Sequence, residues 1–194
     1  MISESMTAPA PILTALILGP PEHIDVATLA FCATIAPAPP RYVRVEPHAE
    51  ARRSYCFDNT ATWVARHGGS VAYGWAVWRW PGRYFEAEHH GIWRAPDGTL
   101  IDVSPQLDPG GRILFVPDDD AVFDPAAWRR NVMGAEDGNA AAAEYIALAD
   151  QRDDIIAAYK PVDWEMPLLS PEDTARVSSL DLRLAELLGE MHRQ

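Results

Sequence analysis

Residues 70–104 constrain the fold more than any other stretch: "SVAYGWAVWRW", "RYFEAEHHGIW" and "TLIDVS", separated by Pro81-Gly82 and by Pro96-Asp97-Gly98. Runs rich in aromatic and β-branched residues between turn formers predict a three-stranded antiparallel meander. The second and third runs carry two adjacent histidines, His89 and His90, and a single aspartate, Asp102.

Side chains alternate across a strand, so His89 and His90 point to opposite faces. The length of the turn decides which of them shares a face with Asp102. A two-residue loop, Asp97-Gly98, pairs Pro96 with Thr99 and puts Asp102 on the face of His89. A three-residue loop, Pro96-Asp97-Gly98, pairs Ala95 with Thr99 and puts it on the face of His90. Pro suits the second position of a type I turn, Asp the third, and Gly the left-handed residue that follows. In the shorter loop Pro96 would occupy the closing strand pair, where it has no N–H to donate. The three-residue loop is therefore expected. It sets Ser104 opposite His90, with Asp102 the diagonal neighbour at roughly 7–8 Å between backbones, within reach of an imidazole and a carboxylate.

A histidine oriented by a carboxylate needs a group to act on, and "SYCFDNTATWVARHGG" (54–69) supplies Cys56. Ser54 is the expected N-cap of a helix, Asp58 lies in its first turn, and Gly68-Gly69 end it. A first-turn cysteine sits where the macrodipole and the free backbone N–H groups favour negative charge and can stabilise an oxyanion. Asn59 follows one turn later on the same side, a candidate donor or a group to orient the histidine. Ser104 is a similar candidate from the sheet. The small face of the first meander strand, Ala72, Gly74 and Ala76, is the expected seat of the Cys56 helix.

The order of cysteine at a helix start, histidine on a strand and aspartate on the next strand resembles the papain-like superfamily, in particular its transglutaminase-like and arylamine N-acetyltransferase-like branch. "EAEHHGIWRAPDGTLIDVSP" is also similar to a pattern of small bacterial proteins, EAExHxxWxxPDGxLxDxxP, whose histidine falls on His90. The resemblance spans about residues 41–106. It implies an α+β fold, with the Cys-bearing helix packed on an antiparallel sheet, and catalysis by Cys56, His90 and Asp102 with Asn59 and Ser104 in support. The transglutaminase-like His-x-Trp-x-Glu is replaced by His90-Gly91-Ile92-Trp93, and Arg52, Arg53 and His48 stand upstream of Cys56 where papain has a glutamine.

Around this core the chain divides into a Pro/Ala-rich N-terminal arm (1–40) with one short helix, an α+β core (41–117) and an acidic helical part (118–194), together one domain. "RYVRV" (41–45) and "RILFV" (112–116) read as strands. Residues 139–160 and 170–194 read as helices, the latter opened by Ser170, Pro171 and acids. The arm is expected as an appendage outside the core. Residues 118–194 hold 17 acidic and 7 basic side chains, against 11 and 9 in 1–117, and 41–94 holds 8 basic and 5 acidic. The acidic part is thus expected to pack on the sheet or to gate the site, with 170–194 as the gate.

A net charge of −12 argues against nucleic acid or an anionic membrane as partner. Two cysteines, Cys32 and Cys56, point to a reducing compartment and not to a disulfide framework. "MISESMTAPA" lacks the basic start of a signal peptide, and "PILTALIL" is too short to span a bilayer, so a soluble cytoplasmic protein is expected. The residues predict a cysteine-dependent hydrolase or acyl transferase acting on an amide or thioester of a peptide, protein or small acyl substrate, with no cofactor or metal. One alternative is a non-catalytic binding or regulatory domain that keeps the fold. The other is a metal-dependent enzyme using Glu86, Glu88 and His90, which share a strand face with an N/O donor set.

Overall fold

The computed structural model describes residues 18–106, 111–127, 129–159 and 167–194. The first 17 residues of the expected arm, and residue 160 at the end of the expected 139–160 helix, lie outside the described residues. The elements run α1 (Val26–Ala33), β1 (Arg41–Val45), α2 (Cys56–His67), β2 (Ser70–Trp80), β3 (Tyr84–Arg94), β4 (Leu100–Asp102), β5 (Arg112–Pro117), β6 (Val132–Ala135), α3 (Ala140–Ala157) and α4 (Pro171–Arg193). This is an α+β protein, and the three meander strands pair antiparallel as expected.

The sheet does not stay open. β2 pairs with β3 on one side and β5 on the other, β5 pairs with β1, β1 with β4, and β4 with β3, so five strands close into a barrel. The β1–β4 pair is parallel and the other pairings are antiparallel. The closed barrel is not the papain-like sheet of the expectation. Closure also reassigns the small face. Ala72 and Ala76 turn inward with Val43, Ile92, Ile113 and Phe115, and at Gly74 a Cβ would collide with the Val116 carbonyl oxygen. A five-stranded barrel has a narrow lumen, and small residues on β2 leave room for the rings and branched chains opposite. They are lumen filler and not the seat of α2.

The outer face of the same strands carries a second core. Trp75, Val77, Phe85, Ala87, Leu114 and Val116 pack there against Phe31, Cys32 and Ala36, with the Phe31 and Phe85 rings stacked at 5.0 Å. The α1 region, expected as an appendage, therefore contributes directly to the core. Asp25 caps α1 by accepting from the Thr28 amide.

The C-terminal helices pack on the tip of the β2–β3 hairpin. Trp80 and Tyr84 are buried with Ala142 of α3 and Met191 of α4, and Arg83 Nε donates to the Met191 carbonyl at 2.9 Å. That location corrects the expectation that 170–194 gates the site.

Candidate active site

The Pro96-Asp97-Gly98 turn behaves as its chemistry dictates. Gly98 has φ +88°, its amide donates to the Ala95 carbonyl, and the Ala95 amide donates to the Thr99 carbonyl. Trp93 pairs with Ile101 and Arg94 with Leu100, a register that puts Asp102 beside Ile92 and Ser104 beside His90. His90 and Asp102 consequently share the inward face, and His90 Nε2 lies 3.1 Å from Asp102 Oδ2 with both side chains buried.

His89, one residue away, faces out. Its Nε2 lies 2.6 Å from the Ala121 carbonyl, and its ring packs between Phe57 and Trp75. Burial lowers its pKa, against the opposing pull of that carbonyl. His89 is engaged in packing.

Asp102 is held on every side. Its Oδ1 accepts from the Ser104 amide at 2.9 Å, and Oδ2 also accepts from the Gln106 side-chain amide. The Glu46 amide donates to its carbonyl. Nothing in "SPQ" after the strand marks Gln106 from sequence.

The seat of α2 is β3. The edge of β3 pairs with β6 over residues 84–87 and with β4 at 93–94, and among the described residues the stretch between them has no ladder partner on that side. The α2 helix sits there: Thr60 Oγ1 donates to the Gly91 carbonyl at 2.9 Å. A Cβ on Gly91 would lie 2.7 Å from the Phe57 ring, so only glycine lets the helix come this close.

This contact brings Cys56, the first residue of α2, to His90. Burial by itself would lower the pKa of His90. The Cys56 sulfur and the Asp102 carboxylate, through charge and through hydrogen bonds, outweigh it and hold that pKa well above the ordinary value. With Nε2 taken by Asp102, Nδ1 is the ring nitrogen left for the sulfur. Cys56 is half-buried, in contrast to the fully buried Cys32.

The start of α2 differs from the expected one. Tyr55, not Ser54, is the N-cap residue, no side chain caps the helix, and Ser54 has φ +65°. A serine can cap only from extended backbone geometry; here the chain turns through the left-handed region just ahead of Cys56. Asn59 is also reassigned. Its Nδ2 donates to the Arg52 carbonyl (2.7 Å) and to Ser104 Oγ (3.1 Å), and its Oδ1 accepts from the Arg52 amide (3.0 Å). Both donors are spent on fastening Arg52, just ahead of α2, to Ser104 at the end of the meander. Ser104 is the anchor it binds.

A cleft of about 330 Å³ opens over Cys56 and His90, walled by Tyr55, Phe57, Phe123 and Arg129. Phe123 stacks on Phe57 at 4.1 Å, so the rim belongs to the segment after β5 and not to α4. Among the described residues no three of His, Cys, Asp and Glu group to hold a metal ion. Glu86 accepts from Asn131 at 2.6 Å and Glu88 from Trp78 at 3.3 Å. No family model, curated protein or solved structure matches the chain. Among the described residues no helix is long and apolar enough to cross a membrane.

Proposed function

We propose that the chain is a cysteine-dependent hydrolase or acyl transferase acting on an amide or thioester. The observation that carries this reading is a single imidazole held between a half-buried sulfur and a fully buried, multiply bonded carboxylate, at the floor of an open cleft. A structural cysteine needs no such partner. The papain-like and transglutaminase-like resemblance belongs to the same proposal and rests on the order Cys56, His90, Asp102.

In the proposed reaction the Cys56 sulfur attacks the substrate carbonyl carbon while His90 holds the thiol proton. The tetrahedral intermediate collapses, His90 passes the proton to the departing amine or thiolate, and an acyl-Cys56 thioester remains. Water or an acceptor, deprotonated by His90, then attacks that thioester, and the proton returns to the sulfur. Asp102 fixes the ring orientation and stabilises the imidazolium. The first-turn amides of α2, which no side chain caps, are the donors available to the oxyanion. The substrate in this reading is a peptide, protein or small acyl compound, met in a reducing, cytoplasmic setting that keeps both cysteines as thiols.

An activated ester such as p-nitrophenyl acetate tests the covalent step. Acyl transfer releases p-nitrophenolate in a burst and leaves an acetyl thioester on Cys56, located by peptide mapping. The burst disappears in Cys56→Ala. Acetylation elsewhere, or a burst that survives the substitution, removes the nucleophile and favours the binding-domain alternative.

A further inference from the structure

On the Asp102 side of the site a second cleft of about 220 Å³ adjoins the first, with Ser54, Glu88 and Asn131 lining both. Register explains how it is built. Gly74 pairs with His90, Ala76 with Glu88 and Trp78 with Glu86, so His90, Glu88 and Glu86 form one row on one face, with the Trp78 ring opposite Glu86. At about 3.4 Å per residue the two glutamates lie roughly 7 and 14 Å along the strand from His90.

We infer that this second cleft is the subsite for a cationic group of the substrate, an ammonium or guanidinium, held by Glu86 and Glu88 against the face of Trp78. The inference rests on the proposed function, because it takes Cys56 as the reacting centre from which the substrate extends. Three features carry it: a cavity contiguous with the Cys56 cleft, two carboxylates of β3 on its wall, and the Trp78 ring of β2, which lines the same cavity opposite Glu86 and donates to Glu88. Carboxylates beside an aromatic face are the recognition chemistry of organic cations, by charge and by cation–π attraction. Among the described residues neither glutamate has an ion-pair partner; their hydrogen bonds come from the neutral donors Asn131 and Trp78. Arg53 lines the same cleft but pairs with neither. Glu86 is half-buried, and burial, with Asn131 opposing and the Glu88 charge adding, raises its pKa; a bound cation would relieve that unbalanced charge.

Alkylation of Cys56 by matched probes reads this out without knowledge of the natural substrate. N-(4-aminobutyl)iodoacetamide and N-(4-hydroxybutyl)iodoacetamide have equal reach and differ in charge; each forms an S–C bond and releases iodide. The full chain is treated with each at neutral pH, and the second-order rate at Cys56 is taken from peptide mapping. The cationic probe is expected to react about three- to tenfold faster. That preference should fall to near unity in Glu86→Gln/Glu88→Gln, while the rate with the neutral probe stays within twofold. Equal rates for the two probes in the unsubstituted chain, or a preference that survives the double substitution, overturn the subsite. A Cys56 that neither probe labels overturns the nucleophile reading instead, so the two failures are distinguishable.

Discussion

Helices α2 and α4 begin in opposite ways. Ser170 accepts from the Asp173 amide, Pro171 takes the first position, and Glu172 and Asp173 fill the first turn, so α4 starts with its donors and dipole provided for. The start of α2 shares the first-turn acid, Asp58, but has no side-chain cap, a non-glycine residue at positive φ two positions before Cys56, and a half-buried thiol. The α4 start is optimised for stability. The α2 start lacks such a cap, and its first-turn amides are the donors that the proposed reaction assigns to the oxyanion. Local strain and missing caps concentrate where a fold is over-determined by its surroundings. Asn59, Thr60 and Gly91 are those surroundings.

The largest expected effect lies in His90 and Asp102, the pair proposed to activate the α2 end. His90→Gln and Asp102→Asn should each lower the acylation rate at Cys56 by about 10²- to 10⁴-fold in stopped-flow measurements of the nitrophenolate burst. A loss below about threefold in both would mean that the α2 start does no chemistry.

Gly91→Ala tests the seat of the same helix. The new Cβ meets the Phe57 ring, itself packed against Tyr73, His89 and Phe123, so the ring cannot swing away freely. The expected cost is about 1–3 kcal/mol in denaturant unfolding, together with slower alkylation of Cys56, since Phe57 is its neighbour.

Protonation of His90 links the site to stability. Its folded pKa is raised, so the protonated ring contributes stability that is fully present below the unfolded value of about 6.5 and is lost as pH rises through the folded value. The difference in unfolding free energy between the unsubstituted chain and His90→Gln should therefore shrink as pH is raised from 6 through the alkaline side. A difference that grows with pH would reverse the assigned direction.

The smallest effects sharpen the contrast between the two helix starts. Ser170→Ala should cost about 1 kcal/mol of stability and leave alkylation of Cys56 unchanged. Ser54→Gly should do the converse, gaining roughly 0.5–1 kcal/mol by relieving the left-handed residue.

Where short-range chemistry decides, the sequence is legible. Pro96-Asp97-Gly98 determines the hairpin register, and through it the choice of His90 over His89. Ser170-Pro171 and the acids after it mark the start of α4 equally well. Long-range pairing is not written locally. The β2–β5 and parallel β1–β4 ladders that close the barrel join segments far apart in the chain, so Ala72, Gly74 and Ala76 looked like a helix seat although they fill a lumen. β6 is not legible because "VMGA" has neither alternation nor a β-branched run, and it pairs along the edge of β3. The prolines around α1 advertise a linker, whereas Phe31 and Cys32 bury against the outer face of the barrel. Ser54 misled for the reverse reason. Its residue type suits a cap, but its backbone is turned into the left-handed region by the Asn59 clamp on Arg52.

The most direct test is the rate of iodoacetamide alkylation at Cys56 at pH 6, measured by peptide mapping in the unsubstituted chain and in His90→Gln. Cys32, buried and with its thiol pushed up to about 11, serves as the internal control for unfolding. The account predicts that Cys56 reacts at pH 6, that Cys32 stays unlabelled, and that His90→Gln slows Cys56 at least tenfold. Equal rates at Cys56 in the two proteins would contradict it, because the sulfur would then owe nothing to the imidazole beside it.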